Sequence, residues 1–123
     1  MGKVNILDIN IIIYLQSGLF VDPLPKGYYA VSVITEMELL SFSQLSPEQE
    51  YWLTQFFKDI SIIPCHDQVK LQTITLRRQY RLKLPDAIIA ASAITTDALL
   101  LTNDSQLHKI PQLCWQSLTI QEK

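Results

Sequence analysis

The stretch VNILDINIIIYL, residues 4–15, decides how the chain is read. Val4 to Leu7 is a short apolar run, as a strand shows when both its faces are buried in a parallel sheet, and it stops at a charge, Asp8. Behind that charge, Ile9, Ile11, Ile12, Ile13, Tyr14 and Leu15 are apolar nearly all round a helix, which suits packing deep against a sheet.

The same alternation continues outward. Gly18 to Gly27, with Asp22, Pro23 and Pro25, reads as a loop, and Tyr28 to Ser32 reads as a second strand rich in aromatic and β-branched residues. Helix formers follow in TEMELLSFSQL, residues 35–45. Ser46-Pro47-Glu48-Gln49 is a strong helix start: a capping serine, a proline in the first turn and a glutamine three residues after the cap. That helix is expected to run through Trp52, Phe56 and Phe57, and a third strand at Ser61 to Ile63 is stopped by Pro64.

A helix is expected from Asp67 to Arg81 and another from Leu84-Pro85-Asp86, where proline occupies the first turn and loses no hydrogen bond. Ala98 to Thr102 reads as a buried strand, Ser105 to Ile110 as a short helical turn and Leu113 to Leu118 as a last strand. Strands alternating with helices imply right-handed βαβ units. The expected fold is α/β, a three-layer α/β/α sandwich with a mainly parallel central sheet. A length of 123 residues, 48% of them hydrophobic, fits a single domain over residues 1–123.

Composition narrows the function. The formal charge of -2 argues against a surface made throughout for nucleic acid, so any such contact must be local. Cys65 and Cys114 suggest neither a disulfide framework nor a thiolate zinc site. MGKVNILD lacks the features of a signal peptide, and the apolar runs fall short of the ~20 residues of a membrane span, so a soluble, cytoplasmic protein is expected. With 3 glycines in the chain, no loop of the dinucleotide-binding kind can be assembled.

Four acids stand where an apolar run ends or a helix begins: Asp8, Glu38, Asp86 and Asp104. Each has an ordinary explanation. Asp8 suits a helix N-cap, Thr35 and Glu38 have capping-box spacing, Asp86 complements a helix dipole, and Asn103-Asp104-Ser105 is good turn chemistry. Those explanations do not require all four at one side of a sheet, where the carboxyl ends of parallel strands gather functional groups. Two like charges ~4 Å apart repel by ~4 kcal/mol at an effective dielectric of ~20, so such a cluster calls for a cation. Carboxylate oxygens without histidine or cysteine select Mg²⁺ or Mn²⁺, and phosphodiester hydrolysis is the matching reaction class. His66 and His108 show no partner motif and are expected to be surface or satisfied core residues.

At these residues the chain resembles the PIN-domain ribonucleases, above all the VapC-type toxins of prokaryotic toxin–antitoxin pairs, over nearly its whole length. NILDINIIIYL looks like the family's opening strand, first aspartate and following asparagine, Asn10. SVITEMELLS resembles the segment Ser-x-Ile-Thr-x-x-Glu-Leu, which selects Glu38 over Glu36, and PDAIIAASA and LLLTND are close to the third and fourth acidic motifs. Two positions depart from the pattern. Ile9 stands where a threonine or serine is usual, and Gln106-Leu107 follows Asp104 where a further Asp-Phe is frequent, which implies fewer acids and a weaker second metal.

The resemblance implies that Asp8, Glu38, Asp86 and Asp104 hold Mg²⁺ or Mn²⁺ and that water attacks RNA in line, with Asn10 and Thr102 orienting carboxylates by hydrogen bonds. It also implies a small antitoxin as partner and a homodimer. Arg77, Arg78, Arg81 and Lys83, just before Asp86, form a local basic cluster suited to RNA phosphates. A catalytically weak PIN-like module that binds a protein or RNA is the alternative. Phosphotransfer folds of the dehalogenase and receiver kinds fit poorly, since Asn10 stands where the former need a second aspartate and the latter's paired acids are missing.

Overall fold

Alternate residues of each strand face opposite layers, and this places the site. A computed structural model describes residues 3–121; the outermost residues of the expected domain, 1–2 and 122–123, lie outside it. The elements are β1 (Val4–Leu7), α1 (Ile9–Gln16), β2 (Tyr28–Ser32), α2 (Val33–Leu40), α3 (Pro47–Lys58), β3 (Ser61–Ile63), α4 (Asp67–Gln79), α5 (Leu84–Thr95), β4 (Leu99–Leu101), α6 (Ser105–His108) and β5 (Trp115–Gln116). Their five strands form one sheet in the order β3-β2-β1-β4-β5, and every pairing is parallel.

Ile6, Ala30 and Leu100 point to one face, where they pack with Val69 and Leu76 of α4, Ala87, Ile89 and Ala90 of α5, and Leu107 of α6. Their neighbours Leu7, Val31 and Leu101 point to the other, against Ile11 and Ile12 of α1 and Leu53 and Phe57 of α3. The result is the expected three-layer α/β/α sandwich with helices on both faces. The small buried stripe Ala87, Ala90, Ala91 and Ala93 lets α5 approach the sheet closely. Among the described residues no helix is long and apolar enough to cross a membrane.

The strand order reverses direction at β1. From β1 the chain steps to β2 and β3 on one side, then returns through α4 and α5 to β4 and β5 on the other. The crevice beyond the carboxyl ends of β1 and β4 is therefore a topological switch point, where doubly wound sheets place their ligands.

Local expectations and structure differ at several ends. The helix expected over 35–45 begins earlier and ends sooner, at Val33–Leu40, because Ser32 both closes β2 and caps the helix by accepting from the Ile34 amide at 3.2 Å. Thr35 is thus inside the helix, and the capping-box reading of Thr35 and Glu38 is replaced. The Ser46–Gln49 box is present in full, with bonds of 3.1 and 3.0 Å. The helix expected to Arg81 stops at Gln79, and the last strand is confined to Trp115–Gln116.

Gly27 closes the loop before β2 at φ 135, and a Cβ there would meet the Lys3 carbonyl and lie 2.9 Å from Asn5 Nδ2. The Lys3 carbonyl is backbone, directly before β1, and cannot yield cheaply. Gly27→Ala is expected to lower the unfolding free energy by about 1–3 kcal/mol. A urea titration reads this as a lower midpoint with an unchanged slope; an unmoved midpoint contradicts it.

Candidate functional site

Three carboxylates are set by element ends at the switch point. Asp8 is the residue after β1 and caps α1, its Oδ1 accepting the Ile9 amide at 2.8 Å. Its other oxygen, Oδ2, accepts the Thr102 hydroxyl at 2.6 Å, and its backbone amide donates to Leu101 at 3.1 Å, so β4 grips both its main chain and its side chain. Asp104 caps α6 in the same manner, Oδ1 accepting from the Gln106 amide at 2.9 Å. Asp86 follows Pro85 in the first turn of α5. Glu38 arrives from α2, three residues before its end is closed at Ser41.

These four acids line a single pocket of about 280 Å³ together with Ile9, Asn10, Lys83, Pro85 and Ile89. Larger depressions lie along α3 and α2, each with two acids in a wall otherwise largely aromatic or aliphatic, whereas four acids meet only in the switch-point pocket among these three. Both Glu36 and Glu38 line the depression along α2, but only Glu38 also lines the acid pocket. Helical spacing alone does not distinguish the two.

The electrostatics are those of several carboxylates in one pocket with Lys83 as the cation in its lining. Asp8 is only 5% exposed, and burial raises its pKa above the ordinary 3.8 against the lowering pull of Thr102 and the Ile9 amide; Asp104 raises it further. Burial likewise raises Asp86, followed by repulsion from Asp104 and Asp8, relief from Lys83 and a last push from Glu38. A carboxylate that merely complemented the α5 dipole would shift downward instead. No three of the described His, Cys, Asp or Glu side chains are gathered as a ready-made metal cluster. The donor chemistry nonetheless fits a hard divalent ion, since the lining offers carboxylates and neither imidazole nor thiolate.

Thr102 is the keystone of this arrangement. Fully buried, it donates to Asp8 and its Oγ1 accepts the Asp104 amide at 3.1 Å, joining two of the acids through one hydroxyl. Thr102→Val keeps the shape but strands both partners, and is expected to cost about 1–3 kcal/mol of stability. Thr102→Ser should retain most of it. Chemical denaturation of the pair provides the check, and equal midpoints would show that the hydroxyl is idle.

Of the remaining residues singled out by sequence, Asn10 and Lys83 are in the lining of this pocket. Asn10 is exposed in its wall, and Lys83, the residue before α5, is its lining cation. Arg77 and Arg78 lie in the last turn of α4 and Arg81 in the link to α5, all exposed and outside the lining; Arg77 Nε donates to the Leu82 carbonyl at 3.3 Å. His66 is exposed. His108, by contrast, is half-buried with Nε2 2.9 Å from the Thr102 carbonyl, a role no spacing in the sequence announces. Both cysteines are exposed free thiols.

Comparison with known proteins places this geometry. No curated protein sequence matches the chain significantly. Among solved structures, a toxin–antitoxin complex from Klebsiella pneumoniae is similar at 28% identity and TM-score 0.72, covering 89% of this chain and 94% of that one. VapBC-1 from nontypeable Haemophilus influenzae is similar at 26% identity and TM-score 0.75, covering 93% and 97%. VapBC2 from Rickettsia felis, bound to a DNA fragment from its promoter, shares the fold at TM-score 0.76 and 22% identity, over 94% of this chain and 99% of that one. The sequence profile described as "PIN domain" matches residues 6–113, a span that takes in all four acids of the pocket. With profile, fold and acid pocket in agreement, the chain belongs to the PIN domain family.

Proposed function

We propose that this chain is a metal-dependent endoribonuclease and the toxin of a toxin–antitoxin pair. The observation that carries the reading is the convergence of Asp8, Glu38, Asp86 and Asp104 on one pocket at the switch point of a PIN-domain sheet. Those four would hold Mg²⁺ or Mn²⁺. Such a cation supplies a hydroxide nucleophile near neutral pH and offsets phosphate charge. Thr102 keeps Asp8 turned into the pocket, and Asn10 in the wall is suited to orient a carboxylate or the substrate.

Lys83 in the pocket lining is suited to a phosphate near the reacting bond, while Arg77 and Arg78 at the end of α4 and Arg81 in the link to α5, all exposed, suit the flanking RNA backbone. A small antitoxin as partner draws on the Klebsiella toxin–antitoxin complex, and a homodimer in the cytoplasm completes the proposal. A catalytically weak module that binds protein or RNA is the second reading, favoured by Ile9, an apolar residue in the pocket wall. RNA incubated with the purified chain decides between them. The nuclease reading expects cleavage with Mn²⁺ or Mg²⁺, none with chelator and none from Asp8→Asn; cleavage indifferent to both would sink it.

A further inference from the structure

The turn carrying Thr102 and Asp104 is held from behind by the C-terminal segment. The Asn103 side chain donates from Nδ2 to the Leu118 carbonyl at 2.9 Å and accepts the Leu118 amide on Oδ1 at 2.7 Å. An amide side chain here does the work of a strand backbone, prolonging the β4–β5 pairing that ends with Thr102 donating to the Gln116 carbonyl at 3.0 Å. His108 secures the residue before it. Because a carbonyl only accepts, the His108 ring, with Nε2 2.9 Å from the Thr102 carbonyl, carries its proton on Nε2.

Trp115 lies flat on that ring, centroids 3.5 Å apart and planes 11° from parallel, which fixes its rotation. The segment is anchored in turn: the Val21 amide donates to the Thr119 carbonyl at 3.2 Å, and Phe20 bridges to Ile120. Residues 115–120 lie beyond the span matched by the family profile, which ends at 113, whereas Asn103 and His108 lie within it.

We propose that Asn103 and His108 are positioning residues for the acid pocket. They fix the peptides on either side of Asn103, and thereby the Thr102 hydroxyl that orients Asp8 and the Asp104 amide. The inference rests on the metal-dependent reading above and deepens it: the two residues set the affinity for the cation without touching it. Loss of such outer partners typically weakens metal binding by roughly 10–100-fold.

The test uses the full chain. Mn²⁺ affinity by calorimetry, kcat and KM on RNA, and thermal midpoint are measured for wild type, Asn103→Ala, His108→Phe and His108→Gln. His108→Phe keeps a ring against Trp115 but lacks the N–H; His108→Gln restores a donor. Asn103→Ala and His108→Phe are expected to bind Mn²⁺ roughly 10–100-fold more weakly, with lower kcat and unchanged KM, and His108→Gln to recover part of the loss. Should Asn103→Ala fail to fold, the His108 pair decides. Variants that melt earlier yet bind Mn²⁺ like the wild type make the clamp merely structural and overturn the inference. A wild type that binds no Mn²⁺ overturns the metal reading and the inference together.

Discussion

Asp86→Asn is expected to lower RNA cleavage by about 10³-fold while making the metal-free protein more stable. A ligand shared between cation and pocket supports several kcal/mol of transition-state charge stabilisation, and a loss of about 4 kcal/mol corresponds to about 10³ in rate. Stability moves the other way because of where Asp86 sits. Burial and the charges of Asp104, Asp8 and Glu38 all oppose its ionisation, and only Lys83 favours it. An amide of the same shape removes that opposition, although solvent at this half-buried position keeps the gain small. Single-turnover cleavage and a urea titration with chelator read the two effects. Activity equal to wild type would reveal a contaminating nuclease, and a lower midpoint would mean that Asp86 is a structural acid.

The second large effect is that divalent cation and proton compete for the same fold. Asp8 and Asp86 both have folded-state pKa values raised above the ordinary 3.8, chiefly by burial. Without metal, the folded chain binds protons at these sites more tightly than the unfolded chain does. Their contribution to stability is therefore fully present below 3.8 and is lost as pH rises through the raised values. Added Mg²⁺ or Mn²⁺, which binds the deprotonated carboxylates, opposes that trend as pH rises. At a free concentration about 100 times Kd it adds about 2.7 kcal/mol. Urea midpoints measured from about pH 4 to about pH 7.5, with chelator and with Mn²⁺, display both slopes, and subtracting the Asp86→Asn curve isolates the contribution of Asp86 from that of the other acids. Superimposed chelator and Mn²⁺ curves at neutral pH would contradict the coupling.

Much of the fold was legible because it rests on local chemistry. The apolar run Val4–Leu7 interrupted by Asp8 announces a buried strand and its carboxyl end, and Ser46-Pro47-Glu48-Gln49 announces a helix by a box that is present in full. Misjudged ends have a common cause in residues that serve two elements. Ser32 finishes β2 and caps α2 at once, so the helix start hides inside a strand pattern. Leu113 to Leu118 reads as strand throughout, yet only Trp115 and Gln116 find ladder partners in β4, and Asn103 takes over at Leu118 through its side chain.

Within the site, the four acids could be named from sequence because each interrupts apolar sequence, but Glu38 was separated from Glu36 by resemblance and not by periodicity. The bond from Thr102 to Asp8 spans 94 residues, and His108 reaches Thr102 only because α6 folds back over the end of β4. No local pattern encodes such contacts; they exist once strand order has brought β1 beside β4.

If Asp8, Glu38, Asp86 and Asp104 form one divalent-cation site, the anomalous scattering of Mn²⁺ in crystals of the chain will locate the ion there. A peak is expected among these side chains and is expected to be absent from crystals of Asp86→Asn. A peak elsewhere, or the pocket empty at saturating Mn²⁺, would contradict the shared site.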